Sequence, residues 1–177
     1  MEEGMKKLMW LALAISLFTL PSFAQEVPSM SLSGGYSYFR IGGSNGVNLN
    51  GFNASASFAT NHLLGFVADM GAYHGSPQGV GLTTTTYTFG PRITLRPSSS
   101  FVPFAQALFG GAHVSASYGG ASGSSNPFAY GGGGGVEIGS GRIGLRPEFD
   151  YLALRSNGTS SNCFRIAVGV VFRFGAK

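Results

Sequence analysis

The stretch Phe164-Arg165-Ile166-Ala167-Val168-Gly169-Val170-Val171-Phe172-Arg173-Phe174 decides the fold. Its even-numbered positions are Phe, Ile, Val, Val, Phe and Phe, and its odd-numbered ones are Arg, Ala, Gly, Val and Arg. Successive side chains of a strand point to opposite faces, so one face is continuously apolar and the other small or cationic. A soluble sheet would bury the apolar face and wet the other. A membrane barrel turns the apolar face to lipid and the polar one to its lumen.

Seven further segments of the same period precede it. The first, Met30 to Ile41, sets Met30, Leu32, Gly34, Tyr36 and Tyr38 against Ser31, Ser33, Gly35 and Ser37, and a Gly/Asn-rich turn follows. The second, about Leu49 to Ala59, sets Phe52, Ala54, Ala56 and Phe58 against Asn53, Ser55 and Ser57. Thr60-Asn61-His62 is a short hairpin connection. The third, Leu63 to Tyr73, places Leu64, Phe66, Ala68 and Met70 opposite Asp69, and His74 to Gly79 is read as a loop. The fourth, about Gly81 to Arg96, alternates Tyr87, Phe89, Ile93 and Leu95 with Thr84, Thr86, Thr88 and Arg92, and Pro97 to Ser100 closes it.

The fifth, Phe101 to Ser117, carries Ala105, Ala107 and Phe109 against Gln106, Leu108 and Gly110, with a loop expected over Tyr118 to Asn126. The sixth, Phe128 to Ile138, turns Glu137 away from Phe128, Tyr130, Val136 and Ile138. Its run Gly131 to Gly135 resembles a linker by composition, but inside an alternating segment it reads as barrel strand whose bare backbone a neighbouring aromatic covers. The seventh, Arg142 to Leu154, sets Ile143, Leu145, Phe149 and Tyr151 against Arg146, Glu148 and Asp150, and a loop is expected over Arg155 to Ser161.

Such segments are about twice as long as ordinary globular strands, and they match the roughly 9–11 residues that a tilted strand needs to cross a bilayer. Short turns after the even segments and longer loops after the odd ones place both termini in the periplasm. The expected fold is all-β: an eight-stranded antiparallel up-and-down transmembrane barrel. Because no open strand edge survives in hydrocarbon, the first and last strands must pair.

Composition agrees. Of the 177 residues only 10% are charged, against about a quarter to a third of an ordinary soluble surface, and 13% are aromatic. Disorder needs few aromatics and is excluded. The net charge of +4 comes from scattered arginines with no basic cluster, which argues against nucleic acid. One cysteine, Cys163, gives no disulfide framework or metal-ligand spacing, and it reads as a small apolar residue at a strand start. At the N-terminus Met5-Lys6-Lys7, the apolar run Leu8 to Leu20 and Pro21-Ser22-Phe23-Ala24 form an export signal. Residues 1–24 are expected to be removed, leaving one barrel domain over 25–177, with Met5 a possible start.

Asp69, Arg92, Glu137, Arg146, Glu148, Asp150, Arg165 and Arg173 all fall opposite the apolar stripe of their own strands. With Gln106 and the threonines they can fill a narrow eight-stranded lumen as an ionic plug, because enclosed charges need partners. An ion or proton pathway through the same groups is the alternative. Tyr36, Tyr38, Tyr73, Tyr87, Tyr130, Tyr151, Phe172 and Phe174 fall near strand ends and are expected in lipid-facing aromatic girdles. No phosphate-binding loop, zinc signature or nucleophile elbow occurs, and neither cofactor nor metal is expected. His113 and Ser115 share a face, but a serine nucleophile also needs a group to orient its base, and no acid sits on that face. His62 and His74 read as solvent-exposed turn residues.

Gly34-Gly35-Tyr36-Ser37-Tyr38-Phe39-Arg40, Val67-Ala68-Asp69, Phe89-Gly90-Pro91-Arg92, Pro103-Phe104-Ala105-Gln106-Ala107-Leu108-Phe109-Gly110 and Val171-Phe172-Arg173-Phe174-Gly175 resemble the small OmpA/OmpX-like outer-membrane β-barrel family of Gram-negative bacteria, in its single-domain, acidobacterial-type form. The resemblance implies periplasmic chaperones, insertion by the barrel-assembly machinery, and Phe172 and Phe174 as its assembly signal. That signal usually ends on the terminal aromatic, whereas Gly175-Ala176-Lys177 follows here. It also implies an outer-membrane location and contact with lipid and lipopolysaccharide. A monomer with a structural or surface-facing role, in envelope integrity or adhesion, is expected. A narrow or gated channel comes second and a lipid A-modifying esterase third. With no peptidoglycan-binding domain expected after the barrel, the anchoring role of two-domain relatives does not carry over.

Overall fold

The computed structural model describes residues 30–42, 46–95, 100–156 and 158–174. The export segment, most of the Pro97 to Ser100 turn and the last three residues lie outside them. Nine strands follow in order: β1 (Met30–Ile41), β2 (Val47–Ala59), β3 (Leu64–Gly75), β4 (Gly81–Thr94), β5 (Phe101–Tyr118), β6 (Ala121–Ser125), β7 (Phe128–Ile138), β8 (Ile143–Ser156) and β9 (Thr159–Phe174). All their pairings are antiparallel. β6 and β7 share one register against β5, since Gly111 faces Phe128 and Val114 faces Ser125, and together they form the sixth barrel strand, interrupted at Pro127. β1 pairs with β9 from Met30–Phe174 to Ile41–Cys163, which closes an eight-stranded barrel.

Passing from partner to partner around the wall leads from Ser31 through Ser57, Val67, Gly90, Leu108, Gly131, Leu152 and Cys163 to Ile41. That is a displacement of ten residues along β1, which sets the tilt of an eight-stranded wall at about 40°. On β9 the outward side chains Phe164, Ile166, Val168, Val170, Phe172 and Phe174 are all exposed. At about 3.3 Å per residue and that tilt they span roughly 25 Å, the height of a lipid-facing band.

Three connections differ from expectation. The Tyr118 to Asn126 loop is mostly β6, turned by Gly119 and Gly120 at positive φ of 55° and 87°. That conformation suits a tight hairpin, and glycine adopts it freely. The Arg155 to Ser161 loop is likewise the paired tip of β8 and β9, with Ser156 opposite Thr159. β3 also continues to Gly75, so His74 lies in a strand, and Pro77–Gly79 forms a single 3-10 turn. The hairpins at this end are ribbons rising above the wall, whereas Met30 and Phe174 lie at the opposite, terminal end. There Asn61 ties the β2–β3 turn, its Oδ1 accepting from the Leu63 and Leu64 amides.

Candidate functional site: the barrel interior and its outer collar

Strand parity brings the charges together. Asp69, Arg92, Gln106, Glu137, Arg146, Glu148, Asp150 and Arg165 are buried inside the wall, and Arg173 is half-buried at the terminal end. They form two clusters. In the lower one Arg92 Nη2 donates to Glu137 Oε1 at 2.6 Å, and Arg173 Nε donates to Glu137 Oε2 at 3.1 Å. Arg173 Nη1 also donates to the Gly139 carbonyl at 3.0 Å, anchoring the β7–β8 turn. Arg92 Nη1 reaches the Ser57 hydroxyl at 3.1 Å.

The upper cluster is built on Arg165, which is fully buried. From β9 it crosses the lumen to Asp69 on β3, donates from Nε to Asp150 Oδ2 at 2.9 Å, and from Nη2 to Glu148 Oε1 at 3.1 Å. Glu148 also pairs with Arg146 Nη2 at 2.7 Å, and Gln106 Nε2 donates to Glu148 and Asp150 at 3.1 and 3.0 Å. Guanidinium supplies five fixed donors, and three carboxylates converging on one guanidinium use that geometry fully. The Phe104 ring joins the clusters, with Arg92 Cζ 3.7 Å and Arg146 Cζ 4.5 Å from its centroid. Such cation–π contacts are strongest where water is excluded.

Several contributors escaped sequence reasoning. The Ser33 and Ser55 hydroxyls, 2.8 Å apart, both accept from Arg146 Nη1, at 2.9 and 3.0 Å. Above the charges lies an apolar cap of Phe39, Leu49, Tyr73, Leu152, Leu154 and Cys163, and the same buried cluster reaches down beside the charges through Leu108 to Val67, on the terminal side of Asp69. The interior is therefore not uniformly polar. Tyr73, expected in the outer girdle, is 1% exposed and belongs to this cap. Its ring stacks on Phe39 at 4.5 Å between centroids, and its hydroxyl lies 3.4 Å from Arg165 Nη1. Its parity with Asp69 and Gly71 turns it inward; residue type alone suggests otherwise. Gly71 is required beneath it, because a Cβ there would strike the phenol. A cavity of about 10 Å³ beside Arg146 and Glu148, also lined by Ser33, Asn53 and Gly169, has room for about one water.

On the outside, Tyr36, Tyr38, Tyr87, Tyr130 and Tyr151 face outward toward the ribbon end of the apolar band, and Phe172 and Phe174 face outward at the terminal end. Tyr87 lies over Gly111, where a Cβ would come within 2.5–2.7 Å of the phenol. Just beyond the tyrosines every wall strand turns polar on its outer face: Arg40, Asn50, His74, Thr85, His113, Asn126, Arg155 and Asn162 form a collar. Cross-strand bonds tie it. Arg40 Nη1 donates to Asn48 Oδ1 at 2.8 Å, the Tyr36 hydroxyl donates to Asn50 Oδ1 at 2.7 Å, His74 Nδ1 meets Thr83 Oγ1 at 3.0 Å, and His113 Nδ1 meets Asn126 Oδ1 at 2.7 Å. His113 is thus partnered by an amide, and among the described residues no carboxylate shares its face with Ser115. The pair lacks the acid that would orient a catalytic base.

No curated protein matches the chain. Among solved structures it is similar to Neisserial surface protein A, at 16% identity and a TM-score of 0.71, covering 82% of this chain and 97% of that one. Ail, the attachment invasion locus protein of Yersinia pestis, aligns at 18% identity and a TM-score of 0.63 over 83% and 99% of the two chains. The N-terminal barrel domain of Pseudomonas aeruginosa OprF gives 14%, 0.60, 82% and 97%. At such identities these likenesses establish the fold. A family model adds to them: it matches residues 10–174, and the chain, an apolar-walled barrel around a charged interior, belongs to the outer membrane protein beta-barrel domain family.

Proposed function

We propose that this protein is a closed outer-membrane barrel whose role is structural and surface-facing, with the terminal end in the periplasm and the ribbons outside the cell. The observation carrying this reading is the double filling of the lumen. Among the described residues ion pairs occupy its lower part and the Phe39–Tyr73 cap its upper part, and the cavity beside Arg146 has room for about one water. Eight strands enclose an interior that side chains can fill, and a filled interior carries no solute flux. The paired β5–β6 ribbon, with Ser115, Ser117, Ser122, Ser124 and Ser125 and an exposed Tyr118 near its tip, presents mainly hydrogen-bonding groups. Such a surface suits weak, adaptable contact with a hydrated partner. The similar Ail structure is that of an attachment protein by its own description, which makes adhesion the surface role to test first.

The test is single-channel recording in planar bilayers. The wild-type protein should be electrically silent, and reproducible charge-selective current from it would replace this reading with that of a channel. Fractionation tests the location: recovery in the soluble periplasmic fraction, without heat-modifiable gel mobility, would overturn membrane insertion.

A further inference from the structure

The interior charges do not balance within each cluster. The lower cluster sets two arginines, Arg92 and Arg173, against Glu137, whereas the upper one sets three carboxylates, Asp69, Glu148 and Asp150, against Arg146 and Arg165. The positive surplus of the lower cluster reaches water, because Arg173 is half-buried at the terminal end. The negative surplus of the upper one does not, since Asp69 is 1% exposed and Asp150 is fully buried. A buried charge without a counter-charge is costly, and dipoles alone do not neutralise it.

Unpartnered oxygens gather at the same place. Asp69 gives Oδ1 to Arg165, and among the described residues its Oδ2 has no hydrogen-bond partner. Thr88 stands directly opposite Asp69 on β4, and Thr86 stands opposite Gly71, so both hydroxyls share the inner face beside that carboxylate. Both threonines are buried, and among the described residues neither Oγ1 has a partner. Native interiors rarely leave adjacent polar atoms in that state. The Tyr73 phenol lies over Gly71 and roofs the group, while Gly110, the β5 partner of Thr88, adds no side chain to it.

We infer that Asp69 Oδ2, Thr86 Oγ1 and Thr88 Oγ1 hold a small monovalent cation of sodium's size. A single positive charge matches the surplus of the upper cluster, whereas a divalent ion would invert it. The donors are all oxygens, which suits a hard cation, and only one of them is charged. Among the described residues no three acidic, histidine or cysteine side chains converge as a transition-metal site requires. A bare ion of this size is smaller than a water molecule, so converging oxygens enclose it even in a filled lumen. The site is internal, and it stands or falls independently of any surface role.

The experiment unfolds the full chain with urea in detergent micelles, in sodium chloride and in tetramethylammonium chloride at equal ionic strength, with heat-modifiable mobility as the readout. Sodium should lower the unfolding equilibrium constant about tenfold, the factor expected at a concentration ten times the dissociation constant, and the effect should saturate. Thr86→Val with Thr88→Val keeps branched, strand-favouring side chains while removing both hydroxyls. That variant should give the same heat-modifiable band, lose the sodium effect and be less stable than wild type in sodium. The sign decides, because replacing a buried hydroxyl that binds nothing by an apolar group of the same shape is neutral or stabilising. Equal wild-type stability in the two salts would overturn the inference. So would a double variant that retains the sodium effect, or one at least as stable as wild type in sodium. Should the variant fail to fold, the wild-type salt series decides alone.

Discussion

Arg165 is the residue on which most of the interior converges, and its removal or isolation has a foreseeable cost. Deleting one partner of a buried pair leaves a charge uncompensated, at about 3–5 kcal/mol. Asp69→Ala should fall near the lower end, about 3 kcal/mol, because Asp150 and Glu148 still hold the guanidinium. The measurement is the denaturant midpoint of heat-modifiable mobility. A midpoint within error of wild type would mean that the lumen admits water freely at that height. Gly111 offers a second test at this scale. Gly111→Val forces Tyr87 off the backbone it covers and should cost about 1–3 kcal/mol, read the same way. That Asp69, Arg92, Glu137, Arg146, Glu148, Asp150, Arg165 and Arg173 share the face opposite the apolar stripe was legible from parity, since β-strand geometry allows only two directions. Which arginine meets which acid was not, because those partners lie on strands far apart in sequence. Arg165 and Asp69 illustrate this: their contact depends on the ten-residue displacement around the wall, which no single segment encodes.

At the scale of elements, the long alternating strands were readable because one face must be apolar over the full membrane height. The ribbon tips were not, because Ser- and Gly-rich segments such as Ala121–Ser125 have no apolar face to alternate and are ordered by backbone pairing alone. That pairing involves β5 only, which gives a clean test of the ribbon's role. Replacing residues 116–123 with Asn-Gly joins Ser115 to Ser124, already partners, through a two-residue turn. The shortened protein should insert and melt as wild type does, while attachment of cells expressing it to a host-cell layer or matrix should fall severalfold. Full attachment with the short ribbon would move the surface role elsewhere. β9 makes the complementary prediction. Phe172→Ala with Phe174→Ala should reduce the heat-modifiable fraction in membranes, whereas removing residues 175–177 should leave it intact. The reverse outcome would show that β9 closes the wall without serving as a recognition signal.

For the whole molecule, the two fillings of the lumen act in series. Neutralising the lower one with R92Q/R146Q leaves the Phe39–Tyr73 stack in place, and truncating the stack with F39A/Y73A leaves the ion pairs in place. Neither double variant should conduct in planar bilayers, and only the combination of all four should pass current. Conductance from the first pair alone would mean that the apolar cap opens on its own. The cap was the part of the interior hardest to anticipate. Leu108, Leu152 and Cys163 each have inward parity, but they gather into one cluster only once the register is known.

The ion pairs also bear on how the barrel is made. Asp69 lies on the third strand and waits for an arginine on the ninth; Glu137 is shared between the fourth and the ninth. Until β9 arrives, a growing sheet of β1 to β8 holds acids that its own arginines cannot all satisfy, beside an open edge on β1. The last strand therefore zips the seam and cancels the stranded charge in one event. Every intermediate before it is penalised twice, so assembly should be all-or-none, and a half-closed barrel should not accumulate in the membrane.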